Sequence, residues 1–213
     1  ATFVFDEIRA LTPVLSNLAD QLELLTDHNL LNYRTETRVF QLHQLIGDYI
    51  ERFLPLTETQ RQQRMTTLAA HYLYTLNEEN ERAFPIAGNA VQDINHEHML
   101  LANALGLLEA FNRGQSAIDH PATQITIELT LAVAKRLRAL GQFAQGMDLL
   151  NLLMHSVVGR TIGAHHPLLL FYTGEFAYQV RDLTTAAHTL HQFLLATAEE
   201  ISWERAQAFQ YLA

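Results

Sequence analysis

Two stretches of this chain, VAKRLRALGQFAQGMDLLNLL and TGEFAYQVRDLTTAAHTLHQF, align when set forty residues apart. Ala134 then meets Gly174, Leu137 meets Ala177, Gly146 meets Ala186 and Leu150 meets Leu190. Small residues stand at the first and third pairs, where the two helices of a hairpin would approach closely. QAFQYLA begins a third copy, with Ala213 falling thirty-nine residues after Gly174. A helical hairpin cannot bury its apolar face alone, so such units stack around a continuous core. The repeat therefore predicts an all-α array over residues 120–213. Its third copy stops in mid-hairpin, and residue 1 starts almost inside a helix, so the chain reads as a piece of a longer protein.

The first quarter has a different rhythm. Leu15, Leu18, Leu22 and Leu25 recur at steps of three and four, and the stretch 1–26 predicts two helices broken at Leu11–Pro13. In the segment that follows, Tyr33, Phe40 and Leu42 alternate with polar neighbours, with Thr35-Glu36 as the turn of a hairpin. Leu45, Ile46, Tyr49, Ile50 and Phe53 then share one helical face until Pro55. Helix, helix, hairpin and closing helix predict a small winged-helix unit over residues 1–56. Residues 57–119 read as linking helices. Thr57 is the expected N-cap of the first of them, with Gln60 at capping-box spacing. Pro121 and Pro167 mark the starts of later helices, where the fixed φ of proline is harmless. The expected fold is mainly α: a winged helix, then a right-handed α-α superhelix of hairpins.

Composition removes several functions. No apolar run approaches the length of about 20 that a membrane span needs, so no membrane partner is expected. The chain has no cysteine, which excludes disulfides, thiolate metal sites and cysteine nucleophiles, and fits a cytoplasmic protein. Lys135 is the only lysine, and AVAKRL places no glycine before it, so the phosphate-binding motif G-x-x-x-x-G-K-[ST] is absent. There is no G-x-S-x-G elbow either. Enzyme activity is not expected.

The net charge of −9 argues against phosphate-backbone binding. A winged helix could still present its second helix, or Arg34 and Arg38 on the wing, to DNA. Yet Leu15–Leu31 carries no basic residue and does carry Asp20, Glu23 and Asp27.

The eleven histidines raise the question of a metal. His96 and His98 diverge by about 200° on a helix. His188 and His191 share a face but have no third ligand near them in sequence. No metal site is expected. The remaining surface is the groove of the repeats. There the first helices would present Lys135 and Arg138 in one repeat, and Glu175 and Tyr178 in the next. Mixed charge with an aromatic suits a protein or peptide partner.

The repeats resemble a degenerate variety of tetratricopeptide repeat, with Gly174 and Ala186 at its small positions and Leu190 at its large one. LADQLELLTDHNLLNYRTETRVFQLHQLIGDYIERFL resembles the winged-helix segment that follows the nucleotide-binding core of NB-ARC (STAND-class) regulatory ATPases. INHEHMLLANALGLLEAF resembles the linking helix of bacterial members, whose pattern is E-x-x-N-L-x-x-A-L. Glu97, Leu101, Ala104 and Leu105 match it, and Leu100 replaces the asparagine.

That family ends the second strand of its winged helix in Met-His-Asp, whose histidine reads the β-phosphate of ADP. The triplet here is Leu42-His43-Gln44, which keeps the histidine and loses the aspartate. His43 would leave a strand just before a helix N-terminus, a place that favours an anion.

The resemblance implies a non-catalytic regulatory fragment of a signal-transducing NTPase. Its repeats would sense a ligand or bind a partner, and His43 would sense nucleotide. ADP or ATP is implied only for the intact parent, bound by an upstream domain of the same chain. Two other readings stay open: a DNA-binding winged-helix regulator, and a passive repeat scaffold.

Overall fold

A computed structural model of the chain describes residues 2–12, 15–34, 39–42, 56–81, 99–109, 120–156, 159–160, 166–199 and 201–213. The protein is mainly helical with one small antiparallel sheet, and it divides into two compact units. The first unit takes in Ala1–Tyr72 with Phe84–Leu100, and the second takes in Leu73–Ala83 with Leu101–Ala213.

The first unit begins with strand β1 (Thr2–Val4), helix α1 (Phe5–Leu11) and helix α2 (Leu18–Asp27). Strands β2 (Leu31–Arg34) and β3 (Val39–Leu42) follow, and the sheet order is β1-β3-β2. The expected hairpin is present: Tyr33 lies opposite Phe40 and Leu31 opposite Leu42. The Tyr33 and Phe40 rings stack at 4.7 Å. Leu18, Leu22 and Leu31 form the core here, with Phe5, Ile8, Phe40 and Leu42 against it.

Two details differ from the sequence reading. Thr2–Val4 is a strand rather than helix, because β3 offers it a second edge and its residues are β-branched or aromatic. The apolar stripe of α2 is also narrower than its spacing implies. Leu15 lies ahead of the helix and Leu25 in its last turn, and both are exposed. The turn at 35–38, His43 and the expected closing helix lie outside the described residues.

Helix α3 (Glu58–Glu81) starts at the expected capping box. The Gln60 amide N–H donates to Thr57 Oγ1 at 3.2 Å, and the Thr57 N–H donates to Gln60 Oε1 at 3.0 Å. Its buried stripe is Ala69, Tyr72 and Leu76. The Tyr72 hydroxyl donates to the buried Glu7 carboxylate at 2.8 Å. Residues 99–109 are helical, with Leu101, Ala104 and Leu108 buried.

The second unit contains two helical hairpins and a further helix. They are α4 (His120–Ala139) with α5 (Phe143–His155), α6 (Pro167–Gln179) with α7 (Leu183–Ala196), and α8 (Trp203–Leu212). The forty-residue equivalence extends to the backbone of the turns. Gly141 and Arg181, forty apart, both adopt φ of 70°. Each turn closes with the same pair of bonds: Gln142 N–H to Leu137 O and Gly141 N–H to Arg138 O, then Asp182 N–H to Ala177 O and Arg181 N–H to Tyr178 O. That is the left-handed cap that ends many helices.

The small positions mark close helix contacts, within a hairpin at Gly174 as its spacing implies, but between successive hairpins at Gly146. A Cβ added at Gly174 would come within 2.5 Å of Leu190 Cγ, so only glycine lets α6 and α7 approach this closely. One added at Gly146 would fall into the Phe176 ring. One apolar core joins Ala134, Leu150, Leu153, Leu169 and Phe176, and another joins Leu170, Phe171, Leu190, Phe193 and Ala208.

Candidate site at the first helices of the hairpins

Helices α4, α6 and α8 are bridged by one polar cluster. Its centre is Glu175, in the middle of α6 and only 2% exposed. A buried carboxylate is costly unless it is paired and hydrogen-bonded. Arg138, in the last turn of α4, supplies the charge: its Nε lies 2.8 Å from Glu175 Oε1 and 2.7 Å from Oε2. The N–H is directed at Oε1, and Oε2 receives no hydrogen bond of its own.

Two residues one turn apart on α8 complete the shell. The Tyr211 hydroxyl donates to Glu175 Oε1 at 2.8 Å and accepts from Gln207 Nε2 at 2.5 Å. Arg138 Nη2 donates to Gln207 Oε1 at 3.1 Å. The Arg138 guanidinium also lies 4.5 Å from the centre of the Trp203 ring, a favourable cation–π arrangement.

This surrounding alters nearby phenols. Burial raises the pKa of Tyr172, and the charges of Arg138, Glu175 and Glu204 act on it with mixed sign. Burial also raises the pKa of Tyr211, and the Glu175 carboxylate it donates to raises it further. Both hydroxyls are therefore firmly protonated at neutral pH. His166, at the N-cap of α6, is shifted the other way by burial, and its Nδ1 is enclosed without a hydrogen-bond partner.

The four groove residues read from the sequence fall unequally. Arg138 and Glu175 bond directly, and Tyr178 joins them through its stacked contact with Tyr211, ring centres 4.7 Å apart. Lys135 stays exposed, one turn ahead of Arg138 on α4. Glu175 organises this surface from beneath, since it is too deeply buried to form it. What is exposed above it is part of Arg138, half of Trp203 and the edge of Tyr178.

Trp203, Gln207 and Tyr211 were missed in the sequence. The signal for them was the repeat itself, extended by one copy, because Tyr211 stands thirty-nine residues after Tyr172. Among the described residues, no three His, Asp or Glu side chains gather as a metal ion would require. No described helix is long and apolar enough to cross a membrane. No family model, curated protein or solved structure matches this chain.

Proposed function

We propose that this chain is the regulatory arm of a signal-transducing NTPase of the NB-ARC kind: a winged helix followed by tetratricopeptide-like repeats, without a catalytic step of its own. The repeats bind a protein or peptide ligand across α4, α6 and α8. The winged helix, through His43, responds to the ADP or ATP held by an upstream nucleotide-binding domain of the same polypeptide, in the cytoplasm. Ligand binding favours one nucleotide state by having different affinities for the two.

The observation that carries this reading is the Glu175 cluster. A buried carboxylate shared by α4, α6 and α8 fixes their spacing, so Arg138, Tyr178 and Trp203 are held together as one preorganised surface, with Lys135 exposed one turn ahead of Arg138. Preorganisation lowers the entropic cost of binding, and a rigid arm can pass a binding event on to a neighbouring domain. The strand, two helices and hairpin of the first unit support the winged-helix part.

The test uses the intact polypeptide that carries this chain, purified with the nucleotide it retains. ADP should co-purify, and His43→Ala should speed its loss by about tenfold or more, the scale of one hydrogen bond to a charged group. Arg138→Ala should leave nucleotide retention alone while weakening ligand-triggered exchange. If ADP retention is unchanged by His43→Ala, the nucleotide-sensing role is wrong.

A further inference from the structure

Helix α8 is built like a helix that is covered on both sides. Its two charged residues, Glu204 and Arg205, are both half-buried. Arg205 Nη1 donates to the carbonyl oxygens of Leu194 and Thr197 at 2.8 and 2.5 Å. The exposed side consists of Ala206, Phe209, Gln210, Leu212 and Ala213, with Trp203 at its edge, and the one charge that borders it is the Arg205 guanidinium, 5.7 Å from the centre of the Phe209 ring and already held by those carbonyl oxygens. Phe209 is 56% exposed and Trp203 54%. A helix with one face to water ordinarily puts its charges on that face.

The internal repeat says what covers such a face. Thirty-nine residues before Ala208 and Tyr211 stand Leu169 and Tyr172. Leu169 and Tyr172 lean on the core of the first hairpin, and Ala208 and Tyr211 lean in the same way on the core of the second. The same step takes Phe209 back to Leu170 and Ala213 back to Gly174. In α6 these two positions are covered by α7: Leu170 shares a core cluster with Leu190 and Phe193, and Gly174 lies directly beneath Leu190. In the first hairpin this position is Ala134, which shares a core cluster with Leu150, so alanine also admits a partner leucine there, though not at the close spacing that Gly174 allows. The face on α8 thus continues, one step along, the seam that α6 makes with α7.

We propose that Ala206, Phe209 and Ala213 form a docking face for an amphipathic α-helix, which packs on α8 as α7 packs on α6. The partner has an apolar seam, because the one charge bordering the face, on Arg205, is already bonded to the carbonyl oxygens of Leu194 and Thr197, and a leucine at the register of Leu190, over Ala213. This inference rests on the repeat and on α8 alone, and is independent of the nucleotide-sensing role.

The chain supplies its own probe, a capped synthetic peptide with the α7 sequence Leu183–Ala196. Trp203 is the only tryptophan and borders the face, so its emission reports binding directly. We expect a saturable one-to-one shift, with a dissociation constant of roughly tens to hundreds of micromolar because so short a helix must order itself on binding. Phe209→Glu, at an exposed position that the fold tolerates, should weaken binding by at least about tenfold. A peptide carrying Leu190→Glu should fail to bind. No saturable shift overturns the proposal, and so does binding that Phe209→Glu leaves unchanged. Concentration-dependent self-association that Phe209→Glu abolishes would also overturn it, by giving the face to a second copy of the chain.

Discussion

Glu175 is where a single residue decides most. Its carboxylate is buried and shared by three helices, so removing its countercharge should cost more than an ordinary surface ion pair. Stripping one partner from a buried pair typically costs about 3–5 kcal/mol, and because Arg138 keeps a 27% exposed side chain we expect about 2–3 kcal/mol for Arg138→Met. Glu175→Gln in the same chain should return much of that, since the orphaned charge is gone. Urea unfolding of the two single variants and the double variant reads the coupling; strict additivity would show that the pair contributes nothing jointly. Tyr211 gives a second reading of the same cluster. Its folded pKa is raised above the ordinary 10.0, first by burial and then by the Glu175 carboxylate it donates to. A raised pKa means that its contribution is whole below pH 10 and is lost as pH climbs through the folded value. Wild-type stability should therefore fall more steeply than that of Tyr211→Phe above pH 10. Parallel stability curves would separate the phenol from the cluster.

At the scale of elements, the two hairpin turns carry the argument. Gly141 and Arg181 hold the same left-handed conformation at equivalent positions, yet only glycine adopts it without strain. The strain on an L-residue is about 1–2 kcal/mol, offset in part by the greater freedom that glycine gives the unfolded chain. Arg181→Gly should accordingly stabilise the protein by about 0.5–1 kcal/mol, seen as a higher urea midpoint with unchanged slope. A lower midpoint would mean that the Arg181 side chain matters more than its backbone. These turns were legible in the sequence only by half. The small-residue spacing revealed the repeat and the hairpins, because close helix approach leaves a mark on composition. A left-handed arginine leaves none. Strand β1 was invisible for a related reason: three residues cannot display a period, and tertiary pairing with β3 decided their conformation. The sequence singled out Arg138 and Glu175 as contacts for a partner, but neither their ion pair nor the α8 members was legible, because burial and pairing between helices leave no period in the sequence.

At the scale of the whole molecule, charge is the property that selects among partners. A net charge of −9 disfavours association with a phosphate backbone, and the second helix of the first unit has no Lys or Arg to offset it. The one cationic side chain described on its hairpin, Arg34, is turned along the sheet, where its Nη2 donates to Gln41 Oε1 at 3.2 Å. Binding to nucleic acid releases counterions, so its strength would grow steeply as salt is lowered. A labelled duplex of about 25 base pairs, titrated at about 50 mM salt, is therefore the most permissive trial. We expect no binding up to about 10 μM protein there, where even non-specific DNA-binding proteins associate. Saturable binding that weakens with salt, and that Arg34→Ala weakens further, would make the first unit a nucleic-acid reader and leave the helical hairpins as its sensor. Its absence leaves, among the described residues, the surface over Glu175 and the exposed face of α8, the two surfaces that we propose to recognise protein.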